Sequence, residues 1–255
     1  MEELKYLREK LRGVSSVGNV KFRVAAVGDI HSPRYFDLLL ELAREKLEVD
    51  LFMLAGDVVD KGKIDEYPRV LDALEEHVDV PVIACFGNEE YENLHDELKG
   101  LCSGRVVFLE EETFVLRAGG VSLGIVGSKG SLDRPTRWQS KNVPGIRELY
   151  AARAEKVKEE ISKLSTTYKG LLTHYAPTYC NLEGEPLSAW PEMASRKYES
   201  ILEQVDFAVH GHAHRGKTFC QFKGVPVFNV ALPATNKITV FEIPAGRIRL
   251  EAFFR

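Results

Sequence analysis

Residues 21–31 read KFRVAAVGDIH and residues 51–60 read LFMLAGDVVD. Both open as short apolar runs and break at a Gly-Asp pair: Gly28-Asp29-Ile30-His31 in the first, Gly56-Asp57-Val58-Val59-Asp60 in the second. A run of this length ending in a glycine turn predicts a buried strand. Between the two, Phe36, Leu39, Leu40, Ala43 and Leu47 recur at helical spacing and predict a helix from just after Pro33 through Lys46. The pattern continues with a helix over Ile64 to His77, a strand over Pro81 to Phe86 that runs into Gly87-Asn88-Glu89-Glu90, and a short helix around Glu92 to Lys99. Strands and helices alternating at this interval indicate βαβ units around a parallel sheet.

Working outward, Val106 to Leu109, Thr113 to Arg117 and Val121 to Val126 read as consecutive strands separated by polar and Gly-Gly turns. A long polar segment, Ser128 to Gly145, precedes the longest predicted helix, Ile146 to Leu164. Loops of that length are uncommon and are often functional. Gly170 to Thr173 and Asp206 to Val209 are two further short buried strands, running into His174 and into His210-Gly211-His212-Ala213-His214. The C-terminal runs, Lys217 to Phe222, Val225 to Val230, Ile238 to Ile243 and Ile248 to Phe254, read as an antiparallel series. The economical organisation is an N-terminal helical arm and linker over residues 1–20, then one α/β domain with two sheets over 21–255.

The chain of 255 residues carries 34 basic and 38 acidic side chains, net -4, which gives no electrostatic drive toward nucleic acid or an anionic membrane. No stretch approaches the ~20 apolar residues of a transmembrane helix. Cys85, Cys102, Cys180 and Cys220 are far apart, without a C-x-x-C pair or a secretory leader before them, and are expected to be reduced thiols of a cytoplasmic protein. A chain this long folds without metals or disulfides. Metal-ligand residues here therefore call for a functional reading.

Those residues fall at the strand ends. In a parallel sheet the carboxyl ends of the strands share one edge, where open α/β folds place their ligands. Five segments thus bring Asp29, His31, Asp57, Asn88, His174, His212 and His214 to one crevice. Carboxylate and imidazole together suit Mn, Fe, Zn, Ni or Co, whereas an all-oxygen set suits Mg or Ca. Gly28, Gly56, Gly87 and Gly211 permit sharp turns and close backbone approach. His77 and His95 lie in charge-rich helical surroundings and are expected to face solvent. His210 ends a strand and points away from its neighbour, as a buried structural residue does.

With these motifs in order, the sequence resembles the calcineurin-like metallophosphoesterase superfamily, whose pattern is D-x-H, G-D-x-x-D, G-N-H-[D/E], a lone His and G-H-x-H. The resemblance spans Asp29 to His214 and implies a four-layer α/β sandwich of two mixed sheets flanked by helices, the metallo-dependent phosphatase fold. It implies one divalent ion held by Asp29, His31, Asp57 and His214. A second would take Asp57 as bridge with Asn88, His174 and His212, with manganese foremost among the candidate metals. Asp60, the second aspartate of G-D-x-x-D, is expected to support the ligands rather than bind. The implied reaction is hydrolysis of a phosphate ester by a metal-bridging water, with Asp57, Asn88, Glu89 and His174 as the catalytic set.

Glu89 stands where the family pattern has a histidine that protonates the leaving group. The carboxylate either replaces that acid, or the substrates have good leaving groups, or catalysis is weak. A carboxylate beside the site disfavours the extra charge of a monoester, so phosphodiesters or activated esters are the expected substrates. Lys129, Arg134, Arg137, Trp138 and Lys141, with Tyr175, Tyr179, Asn181 and Trp190, are candidates for holding a phosphate-ester small molecule such as a nucleotide. The alternatives are a non-catalytic interaction module on the same fold, or a nuclease, which the charge disfavours. The N-terminal helix serves either the domain or a homo-oligomer; the sequence does not choose.

Overall fold

The KFRVAAV run forms strand β1 (Phe22–Val27) and LFMLA forms β2 (Leu51–Ala55), with the shorter helix α1 (Phe36–Leu42) between them. In the computed structural model, which describes residues 21–244, helix α2 (Glu66–Glu75), strand β3 (Val82–Cys85) and helix α3 (His95–Leu101) follow. The expected arm over 1–20 and the strand expected over Ile248 to Phe254 lie outside the described residues.

The chain then runs through β4 (Val107–Phe108), β5 (Glu112–Ala118), β6 (Val121–Ser128), α4 (Arg137–Asn142), α5 (Ile146–Lys163), β7 (Tyr168–Thr173), α6 (Glu199–Leu202) and β8 (Phe207–His210). The described part closes with β9 (Phe219–Phe222), β10 (Val225–Asn229), α7 (Leu232–Thr235) and β11 (Thr239–Ile243). One sheet has the order β11-β1-β2-β3-β4 and the other β5-β6-β7-β8-β10-β9. β1, β2, β3 and β4 are mutually parallel, as are β6, β7, β8 and β10, while β11, β5 and β9 are antiparallel edges.

Alternation along each strand divides the apolar side chains between two layers. Val24, Ala26, Met53 and Ile83 face Leu116, Ile125, Leu172 and Val209 in a core between the sheets. The alternate residues Ala25, Val27, Phe52 and Leu54 receive Leu39 of α1 and Val70, Leu71 and Leu74 of α2. Val126, Leu171 and Ala208 receive Ala154, Val157 and Ile161 of α5. The result is four layers, helix on sheet on sheet on helix, with two mixed sheets as expected. Among the described residues no helix is long and apolar enough to cross a membrane.

Four expectations are corrected. β4 joins the first sheet beside β3, so it is not consecutive with β5 and β6. The C-terminal strands are not one antiparallel series: β10 runs parallel to β8, and α7 carries the chain across to pair β11 with β1. Periodicity reports which face of a strand is buried but not which sheet receives it.

His95 does not face solvent, because it shares a face of α3 with buried Leu98. Its ring stacks on Phe86 with centroids 3.6 Å apart, and its Nδ1 lies 2.9 Å from Glu110 Oε1. His77, half-buried, sits just beyond α2. Finally, Cys180 and Cys220 are a disulfide, not two thiols: β9 lies beside the turn at Tyr179–Asn181, which brings their Cα atoms to 6.1 Å. Cys85 and Cys102 are buried free thiols.

Candidate metal centre

The two sheets are stitched together where β1 ends. Gly28 N–H donates to Val230 O at 3.0 Å, and Leu232 N–H donates to Gly28 O at 2.9 Å. The loops after β1 and β2 are zipped in the same way, Asp29 N–H to Gly56 O at 2.9 Å and His31 N–H to Asp57 O at 2.9 Å. Loops from both sheets therefore meet over one edge. There is no room between them for side chains that do not take part: a Cβ on Gly87 would overlap the Asp57 carboxylate, and one on Gly211 the Asp29 carboxylate.

Four of the site residues have left-handed backbone despite carrying side chains: Asp29 (φ 56), His31 (φ 45), Asp57 (φ 50) and His212 (φ 68). Such conformations cost of order 1–3 kcal/mol each and persist where the surroundings over-determine them. Here the zipped loops do so, helped by His212 N–H, which donates to Asp29 Oδ2 at 2.8 Å.

Two groups of donors result. In the first, His214 Nε2 lies 2.8 Å from Asp29 Oδ1, and His31 Nε2 lies 3.7 Å from the same oxygen and 3.4 Å from His214 Nε2. In the second, His174 Nε2 lies 3.4 Å from Asp57 Oδ2 and 3.1 Å from Asn88 Oδ1, with the His212 ring 5.0 Å from that of His174. Asp57 Oδ2 is also 3.8 Å from His31 Nε2, so one carboxylate oxygen faces both groups. All seven residues expected at the crevice are thus together.

The donor set fits divalent ions. Within each trio, Asp29-His31-His214 and Asp57-His174-His212, the ligand atoms lie within 4.8 Å of one another. Bonds of about 2.0–2.2 Å from ligand to metal place neighbouring ligand atoms about 3 Å or slightly more apart, and most of the separations above are of that size. The imidazoles are also oriented for it. His174 Nδ1 is 3.0 Å from the Ala55 carbonyl, which takes the ring proton and leaves Nε2 toward the centre.

The carboxylates and imidazoles of the two groups also set one another's charge. Burial alone would raise the Asp29 carboxyl, but the hydrogen bond with His214 and the imidazole of His31 beside it hold it well below the carboxylate range. Burial likewise opposes ionisation of Asp57, and the charge of His174, 3.4 Å away, overcomes it. His174 is desolvated, yet Asp57 pushes it up to about 9. Desolvation and the neighbouring His174 charge push His212 down to about 3, keeping it a neutral donor.

Around the centre, Asp60 pairs with Arg34 Nη2 at 3.1 Å and Lys63 Nζ at 3.5 Å, outside both groups. His210 is buried with Nδ1 2.7 Å from Gly211 O, also outside them. The Glu89 carboxylate accepts the Lys61 N–H at 2.9 Å and the Asn88 amide at 3.4 Å, and Glu89 N–H donates to Asp57 Oδ1 at 2.7 Å.

The sequence reading assigns no role to Glu90. Its buried carboxylate accepts N–H bonds from Asp57 (2.8 Å), Gly87 (2.7 Å) and Val59 (3.1 Å), and so clamps the two loops that carry Asp57 and Asn88. Its place in the motif is the available signal: it is the acidic residue that closes G-N-E-E.

Of the other candidates, Lys129, Trp138 and Tyr175 line a cavity beside the centre. Arg134 instead holds Glu192 and the Ser188 carbonyl, Tyr179 donates to Asp133, and Asn181 donates to the Lys217 and Val227 carbonyls. Trp190 donates to Glu185 O. Arg137 and Lys141 belong to α4 but not to the cavity lining.

No curated protein matches the chain. Among solved structures, TT1561 of Thermus thermophilus superposes with a TM-score of 0.55 at 14% identity, over 87% of this chain and 99% of that one. The sulfate thiohydrolase SoxB of a Thermus thermophilus complex with glycerol gives 0.48 at 16% identity, over 74% of this chain and 35% of that one. At such identities the first likeness speaks for the fold. The sequence model of the calcineurin-like phosphoesterases matches residues 22–216, a span that contains both donor groups, and the chain therefore belongs to that family.

Proposed function

We propose that the chain, a hydrolase of phosphoric esters by its family, is a dinuclear-metal phosphodiesterase of small molecules. Asp29, His31, Asp57 and His214 would hold one ion and Asp57, Asn88, His174 and His212 the other, and manganese suits this mixture of carboxylate, amide and imidazole. The observation that carries the reading is the placement of Asp57 Oδ2 near both His31 Nε2 (3.8 Å) and His174 Nε2 (3.4 Å), where one anionic carboxylate would be available to both ions. Bound divalent ions supply Lewis acidity to the phosphoryl oxygens and lower the pKa of water.

The chain's own residues do the rest. The Ala55 carbonyl fixes the His174 ring, Glu89 N–H fixes Asp57 Oδ1, and Gly87 and Gly211 keep space for the carboxylates. The Glu89 carboxylate accepts the Lys61 N–H and the Asn88 amide, an arrangement that suits its ionised form. Its negative charge disfavours a monoester dianion relative to a diester monoanion. Catalysis without a general acid forgoes about 10²–10⁴-fold for poor leaving groups, so good leaving groups are preferred.

The test compares Mn²⁺-loaded wild type and Glu89→His on an aryl diester and on alkyl and aryl monoesters. Wild type is expected to favour the diester, and Glu89→His to shift the ratio of rates toward monoesters by about tenfold or more. Faster wild-type turnover of an alkyl monoester would refute the preference.

A further inference from the structure

A cavity of about 790 Å³ opens beside the metal centre and shares Asn88 and His212 with it. Its size is that of small-molecule sites. Tyr175 links centre to cavity: its ring lies 5.4 Å from His174 and 4.9 Å from His212, and Tyr150 meets it edge-on at 6.5 Å. At the mouth stand Tyr91, 42% exposed, and Trp138, 67% exposed.

Trp138 is carried by α4, inside the polar segment that precedes α5. The segment is built rather than loose. Gln139 N–H donates to Thr136 Oγ1 at 3.2 Å and Thr136 N–H to Gln139 Oε1 at 2.9 Å, a reciprocal cap. Gln139 Nε2 also donates to the Tyr175 hydroxyl at 3.3 Å, which ties the segment to the cavity wall.

Two cations reach this space, in different states. Arg153 is engaged at one nitrogen by a hydrogen bond, Nη1 to Gly130 O at 3.1 Å, and otherwise by ion pairs, Nε with Glu111 Oε1 at 3.2 Å and Nη2 with Glu92 Oε1 at 3.8 Å. Lys129 is held at its backbone, whose carbonyl accepts Tyr175 N–H at 3.0 Å, while its enclosed ammonium has an ion-pair partner, Glu92 Oε1, at 3.9 Å, too long for a hydrogen bond. An ammonium brings three donors. Burial weakens its charged form, with Glu92 acting the other way.

We propose that this cavity receives one substituent of the phosphodiester as a nucleoside, its base between the aromatic walls and an acceptor of the base or sugar on the Lys129 ammonium. The assignment rests on the phosphodiesterase reading above. Aromatic walls favour a planar ring, because every base has a face that stacks. An alkyl chain would fill the volume but leave the donors of Lys129 without acceptors, which is costly in an enclosed site. Lys129 is thus a specificity residue, and α4 the element that positions the outer wall.

The test uses three diesters with the same p-nitrophenolate leaving group and different retained substituents: thymidine 5′-, methyl and p-nitrophenyl. Each is assayed with the full-length Mn²⁺-loaded protein. The thymidine ester is expected to exceed the methyl ester in kcat/KM by about tenfold or more, mainly through KM. Lys129→Met and, independently, Trp138→Ala are expected to lower that ratio severalfold. Thymidine 5′-monophosphate is expected to inhibit methyl-ester hydrolysis more strongly than ribose 5-phosphate. Equal kcat/KM for thymidine and methyl esters, or a ratio unmoved in both variants, would overturn the cavity assignment alone. A p-nitrophenyl diester that equals the thymidine ester in KM would overturn the nucleoside in favour of any aryl group. Failure on all three esters would instead overturn the phosphodiesterase reading.

Discussion

Asp57→Asn is expected to lower kcat/KM for an aryl phosphodiester by about 10³-fold or more, with loss of bound metal, while the protein stays folded. The size follows from position: Oδ2 faces both donor groups, so a single substitution weakens both ions, and metal-derived charge stabilisation amounts to several kcal/mol of the barrier. Asparagine is the informative replacement because it tolerates the left-handed backbone of this position (φ 50) and retains an oxygen for the Glu89 N–H. Metal content after dialysis, initial rates and a thermal melt measured on the same preparation separate the outcomes. Wild-type turnover with full metal content would contradict the bridging role.

Glu90→Ala is expected to have the second largest effect, on stability first and activity through it. The substitution leaves the N–H groups of Asp57, Val59 and Gly87 without their acceptor in a buried place. At about 1–3 kcal/mol for each buried unsatisfied donor, the loss is of order 5 kcal/mol before relaxation or water entry. At ~2–4 °C per kcal/mol for a chain of this size, the melting temperature falls by about 10 °C or more. Glu90→Gln should fall between, since its amide can present one oxygen but must turn an NH₂ toward a backbone N–H. A melt of Glu90→Ala within a degree or two of wild type would remove the clamp from the account.

The site is more legible in the sequence than the fold that carries it. Asp29-Ile30-His31, Gly56-Asp57, Gly87-Asn88, His174 and His212-Ala213-His214 each follow an apolar run, and strand ends are local features that a single segment displays. Sheet membership is not local. β4 looks like the partner of β5 until the parallel ladder with β3 is formed, and β11 pairs with β1 only after the chain has crossed between the sheets beside Gly28, which bonds to both Val230 and Leu232. The Cys180–Cys220 pair is hidden for the same reason, being 40 residues apart and joined only when β9 comes to lie beside the turn at 179–181. His95 is misplaced by its charged neighbours in sequence, although Leu98 three residues on marks the buried face. The left-handed backbone at Asp29, His31, Asp57 and His212 has no sequence signal comparable to a glycine. It records the crowding of carboxylates and imidazoles around one centre.

That crowding makes metal stoichiometry the direct test. Metal-free protein is titrated with Mn²⁺ while bound metal, thermal stability and hydrolysis of methyl p-nitrophenyl phosphate are followed on the same samples. The predicted result is two ions per chain and hydrolysis that appears only as the second is bound. Stability should rise by about 2.7 kcal/mol for each ion at a hundredfold excess over its dissociation constant. Hydrolysis that continues undiminished after chelation, with no metal retained, would contradict it.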